Sequence, residues 1–290
     1  MTTRLGAPTG VPARAVIAVS AGVLAAMALL CAAAPWIAAG LGVDGTTVSL
    51  LDRMAPPSAA HWFGTDELGR DYLVRVLKGG RVSLVVGLGG ALAAALIGTT
   101  IGVVSGYAGG ALDALLMRLT DVVIALPILP LLLIVAAIDL AELGLPEPTD
   151  GGLTRIVVIV ALFGWPPVAR VARGTTLSVR RRTWVLAAEA LGAPSHVVIW
   201  RHVLPNVAGP IIVVATLGIG NVILAESVLS FLGLGIQPPT PSWGNLLTGA
   251  QTMLAQAPHL ALVPGFAIFV TVIAFNVLGD GLQAALDRRR

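Results

Sequence analysis

Six stretches of about 20 apolar residues divide this chain, and nothing else in it limits the possible folds so tightly. They run over residues 15–41, 83–104, 119–140, 156–172, 207–234 and 260–282. A soluble domain of 290 residues cannot bury six such segments, whereas lipid hydrocarbon accepts them. Each must then be helical, because a single strand in lipid leaves its N–H and C=O groups unpaired. Composition agrees, with 56% hydrophobic and 11% charged residues. The expected fold is an all-α integral membrane protein with six transmembrane helices.

An even number of spans returns both ends to one side. Placing both ends in the cytoplasm puts twelve of the 18 Lys and Arg there, as basic residues prefer. The expected order is a tail over 1–14, a first helix over 15–41, an extracytoplasmic loop over 42–82, a five-helix core over 83–285 and a basic tail over 286–290. The first helix is read as retained, because its apolar run exceeds a signal-peptide core and Leu30 precedes Cys31 where a cleavage site wants a small residue. The segment Asp66 to Arg81 reads as an amphipathic helix lying at the interface. Arg118 and Asp121, three apart, are expected to pair on one helix face.

Several chemistries find no support. The net charge of +3 is too small and too scattered for a nucleic-acid face. Cys31 is the single cysteine, and the four histidines form no ligand pair at helical spacing. Lys78 is the single lysine and is followed by Gly79, so no GxxxxGK[ST] phosphate loop exists. The chain itself is therefore read as non-enzymatic and as binding no cofactor.

The stretch from Arg180 to Asn206 is the exception to the apolar pattern. Trp184 to Leu191 holds good helix formers, and Gly192-Ala193-Pro194 stops them. Ser195 is placed to cap a second helix ending before Pro205. Ala187, Ala188 and Gly192 lack bulk, so a partner can approach the backbone closely. Arg180, Arg181, Arg182 and Arg201 surround that contact with charge. A helix resting on anionic lipid would have the same pattern.

This loop resembles the signature of the membrane subunits of binding-protein-dependent ABC importers. That signature is Glu-Ala-Ala, three residues, Gly, nine residues, an apolar residue, any residue and Leu-Pro. It falls here on Leu186, Ala187, Ala188, Gly192, His202, Leu204 and Pro205. Spacing is kept in full, but Leu186 replaces the Glu and His202 replaces the apolar residue. Other segments are similar to the second permease of the dipeptide, oligopeptide and nickel subfamily. They are His61-Trp-Phe-Gly-Thr-Asp-Glu-Leu-Gly-Arg-Asp71, Gly80-Arg-Val-Ser-Leu84, Gly106-Tyr-Ala-Gly-Gly110, Ser230-Phe-Leu-Gly-Leu-Gly235 and Asn276-Val-Leu-Gly-Asp-Gly281.

The resemblance implies a type I importer permease in a bacterial plasma membrane. It implies a second homologous permease, two cytoplasmic ATPase subunits that hold ATP and Mg, and an extracytoplasmic solute-binding protein. The loop over 180–206 becomes a coupling helix seated on an ATPase. The expected cargo is short peptides, with nickel or another small solute as the alternative and a stand-alone secondary transporter as a further one.

Single residues carry narrower expectations. Glu226 falls inside the fifth span, where a charge costs about 2.5–3.5 kcal/mol on insertion scales, so it faces the bundle or a wet cavity. Glu226 and Asn221 are translocation-path candidates, with a buried structural pair and interhelical packing as the alternatives. Trp62, Asp66 and Trp243 are candidates for docking the binding protein, with interfacial anchoring as the alternative. Pro127, Pro130, Pro166 and Pro167 mark breaks in the third and fourth spans.

Overall fold

The computed structural model describes residues 12–138 and 150–287. Among them four helices are long and apolar enough to cross a membrane, and two bent helix pairs bring the total to six if each pair is one span. The long ones are α1 (Ala13–Ala32), α3 (Tyr72–Ala108), α10 (Leu204–Phe231), which continues the turn before it, and α12 (His259–Asp287). Large apolar side chains such as Leu92, Leu96, Leu115 and Phe266 lie on the outside. Lipid absorbs that surface at no hydrophobic cost.

After α1 the chain continues as α2 (Ala34–Leu41) and then crosses a loop to α3. Asp66 organises that loop. Its Oδ1 accepts from the backbone N–H of Leu68 at 2.9 Å and of Arg70 at 3.0 Å, and its Oδ2 accepts from Arg70 Nε at 2.7 Å. Asp71 then caps α3 by accepting from Val74 N–H at 2.9 Å, and His61 Nδ1 lies 2.9 Å from its other oxygen. The interfacial helix expected over Asp66 to Arg81 is thus corrected. Residues 66–71 are a hydrogen-bonded loop, and Tyr72, Leu73, Val74, Val76 and Leu77 are buried in the first turns of α3. Burial inside the fold replaces burial at the lipid surface.

The third span is broken at Pro127 and the fourth at Pro166-Pro167, whereas Pro130, expected to mark a break, sits in the first turn of the helix Ile128–Ala137, where its missing N–H is tolerated. Between α4 (Gly110–Ala125) and α5 (Ile128–Ala137) the axis turns by 87°. Leu126, just before Pro127, is extended with φ −78° and ψ 136°, as the proline ring requires of its predecessor. The expected span from Leu119 therefore begins at Gly110, and its expected last residues, 139–140, lie outside the described residues. Between α6 (Leu153–Gly164) and α7 (Pro166–Arg180) the bend is 44°.

Gly98, Gly102 and Gly106 recur every fourth residue on one face of α3, and α7 lies directly against them. A Cβ at Gly98 would sit 2.5 Å from the Trp165 carbonyl oxygen, and one at Gly106 would sit 2.9 Å from that of Arg173. Gly102 meets the Ala169 carbonyl in the same way. The two backbones touch along three turns, with Ala169, Ala172 and Thr176 buried opposite. Small residues allow this approach, and dispersion across it stabilises the pair in lipid.

Candidate functional site

The signature loop forms a helix-turn-helix at one end of the bundle. α8 (Thr183–Ala190) has Val185 fully buried and Ala188 half-buried, packed with Val103, Ala172, Val198 and Val207. Leu186 and Ala187 face outward with Leu191, which is 89% exposed. Helical period thus splits the two motif alanines. Ala187 is exposed, while Ala188 is half-buried against the cluster that includes Val103 of α3 and Ala172 of α7, which corrects the expectation that both lie open.

Gly192 is exposed and adopts φ +83°, where a side chain is strained although no atom lies within 4 Å of its Cβ position. Its N–H donates to Glu189 O at 3.0 Å, and Ala193 N–H donates to Ala188 O at 3.0 Å. This is a left-handed helix stop, for which glycine is suited.

The second half of the loop departs from expectation twice. Ser195 opens α9 (Ser195–Val198) without capping it, since Pro194 occupies the cap and no side chain bonds there. The helix also does not end before Pro205. A π-helical turn over Ile199–Val203 brings Leu204 N–H to Ile199 O and leads directly into α10. Pro205 falls in the first turn of α10, where its missing N–H is tolerated, and Asn206 Nδ2 donates to His202 O at 2.7 Å. His202 and Leu204 are half-buried and Pro205 is exposed.

Polar side chains tie this end together. Tyr107, at the end of α3, donates its hydroxyl to Glu189 Oε1 at 2.9 Å. The Arg180 guanidinium lies 5.1 Å from the Tyr107 ring centroid and donates to the Tyr107 carbonyl. Arg173 pairs with Asp113 at 2.6 Å, and Arg170 pairs with Asp121 at 2.6 Å. Asp121 therefore faces α7 rather than Arg118, which corrects the expected pairing within α4: the neighbouring helix presents its cation closer.

A cavity of about 720 Å³ opens between α4, α5, α6, α7 and α10. Val214, Gly218, Asn221, Ala225 and Val228 form its α10 wall, a stripe at helical spacing, and Asn221 is the one polar side chain among its lining residues. Glu226 does not line it. Five residues on from Asn221, it is rotated by about 140° around the helix. It is fully buried and accepts from Ser83 Oγ at 3.0 Å and Ser230 Oγ at 2.7 Å. Ser83 in turn accepts from Trp243 N–H at 3.2 Å, and Ser230 from Ile236 N–H at 2.9 Å. The buried carboxylate thus fastens α3, α10 and α11 (Trp243–Ala250), and takes the structural alternative rather than a place at the cavity.

Of the docking candidates, Trp62 is 57% exposed. Trp243 is 1% exposed, with Nε1 donating to Val76 O at 3.1 Å and its ring wedged against Gly80 and Cys31. Asp66 is equally buried, between Arg70 and Arg75. Neither side chain can touch a docking protein directly, because each is committed to interior partners. Sequence reasoning did not single out the glycine seam, Tyr107 or Ser83. The fourfold spacing of Gly98, Gly102 and Gly106 was a readable signal for the first, while Ser83 and Tyr107 stood inside quoted family motifs whose spacing does not reveal their distant partners.

Four long apolar helices, or six spans if each bent pair counts as one, with this loop at one end define a polytopic membrane subunit. Residues 98–290 match the family described as the binding-protein-dependent transport system inner membrane component, and the chain belongs to that family. Within it the chain is 41% identical over 272 residues to the glutathione transport system permease protein GsiD of Pectobacterium atrosepticum, covering 93% of this chain and 86% of that one. GsiD of Escherichia coli is 44% identical over 231 residues, covering 80% and 73%. The dipeptide transport system permease protein DppC of Alkalihalophilus pseudofirmus is 40% identical over 236 residues, covering 81% and 74%.

Proposed function

We propose that this chain is one of two permease subunits of an ATP-driven importer of short peptides. Its relatives named for glutathione and for dipeptides support the cargo class, since both are compounds joined by amide bonds. The observation that carries the mechanism is the α8–α9 loop, held outside the bundle with Leu186, Ala187 and Leu191 facing outward. In this reading the loop and both termini face the cytoplasm. The loop rests on an ATPase subunit, and ATP with Mg is bound by the ATPases alone. Closure of the ATPases shifts the loop, and the spans follow from an inward-open to an outward-open state. A binding protein then delivers peptide from the other face.

The cavity walled by α4, α5 and α10 is this chain's share of the path. An apolar surface with a single amide at Asn221 offers a peptide little to hold, which suits a passage fed by a separate binding protein. The test is uptake into proteoliposomes containing both permeases, the ATPases and the binding protein. ATP-dependent uptake of labelled dipeptide or glutathione is expected. Uptake of nickel without peptide, or uptake without ATPases, would overturn the reading.

A further inference from the structure

We infer that Tyr107 and Glu189 form a latch by which the coupling loop moves the spans, with Tyr107 as the positioning residue. The inference rests on the importer reading and names the route that force takes through this chain.

Three observations meet at Tyr107. Its hydroxyl ties the end of α3 to the loop, donating to Glu189 on α8 at 2.9 Å. Its ring is held by Arg180, the last residue of α7, whose guanidinium sits 5.1 Å from the ring centroid. It directly follows Gly106, the last contact of the glycine seam that joins α3 to α7. A displacement of α8 therefore reaches α3 through a charge-assisted hydrogen bond, and reaches α7 with it because the two backbones touch. Packing of Val185 and Ala188 keeps the loop near the bundle, but apolar contacts slide, whereas a directed hydrogen bond transmits a pull as well as a push. Glu189 also lies three residues beyond Leu186, the signature position that lacks its carboxylate here. In this chain the acid of the loop is turned toward the spans.

The experiment uses the complete transporter in proteoliposomes and reads peptide uptake and phosphate release together. Tyr107→Phe keeps the ring and the Arg180 contact while removing the hydroxyl. Glu189→Ala removes the acceptor, and Glu189→Gln keeps an acceptor oxygen. Tyr107→Phe and Glu189→Ala should each lower peptide imported per ATP by roughly tenfold, equivalent to about 1.4 kcal/mol of coupling. The double variant should be no worse than the single ones, and Glu189→Gln should stay within about threefold of wild type. Detergent-purified assembly of unchanged composition confirms that folding is intact. An unchanged ratio in Tyr107→Phe, or losses that multiply in the double variant, would overturn the latch while leaving the importer reading in place. A wild-type assembly that imports no peptide overturns that reading and the latch with it.

Discussion

Glu226 shows how one residue can invite two functions and how geometry selects one. A carboxylate inside an apolar span is costly unless surrounded by donors. Ser83 and Ser230 supply them, and Ser83 lies 143 residues away in sequence, so no local pattern could reveal the pairing. Replacing Glu226 with Leu strands two buried hydroxyls and should cost about 1–3 kcal/mol each. A lower unfolding temperature of the detergent-purified subunit checks this, and a gain in stability would show that the serines do not need the acid. Asn221 behaves oppositely. Asn221→Leu touches nothing structural on the cavity wall, so folding should persist while peptide uptake falls, measured as a changed uptake KM at unchanged ATP hydrolysis. Gly192 was legible as a loop breaker, but its reason is backbone conformation. Gly192→Ala places a Cβ at φ +83° and should cost about 1–2 kcal/mol, read as weaker co-purification of the ATPases.

At the scale of elements, the α3–α7 seam and the proline breaks divide the bundle into a stiff part and a bent part. Gly102→Leu pushes a side chain into the Ala169 backbone, and overpacking of this kind costs about 1–3 kcal/mol or more. Loss of a monodisperse peak on size exclusion is expected. Gly174→Ala is the matched control on α7, since nothing lies within 4 Å of its Cβ position, and it should leave the peak unchanged. The six apolar segments were readable because lipid imposes length and hydrophobicity on every crossing helix. Breaks were readable at Pro127 and at Pro166-Pro167, but the 87° and 44° angles were not, because a proline permits a bend whose size neighbours decide. The first turns of α3 were misread for a similar reason. Mixed charge and apolar residues over 66–81 suit a lipid surface, and equally suit a helix start whose acids and arginines are satisfied by its own loop.

Across the whole molecule, family and fold were legible from ordered motifs, whereas the placement of site residues was not. Trp243 belongs to a proline-rich segment that reads as surface, yet it fills the space above Gly80, where its indole N–H finds the Val76 carbonyl. Such assignments depend on contacts across more than 160 residues, which spacing does not encode. What spacing does encode is reach. At 37 residues α3 is about 55 Å long, well beyond the roughly 30 Å of a hydrocarbon core. Its capping carboxylate at Asp71 and its terminal phenol at Tyr107 belong to a single uninterrupted axle. A load on either rim of the membrane is consequently felt at the other without passing through a joint, so damage at one rim should register as poor performance at the far one.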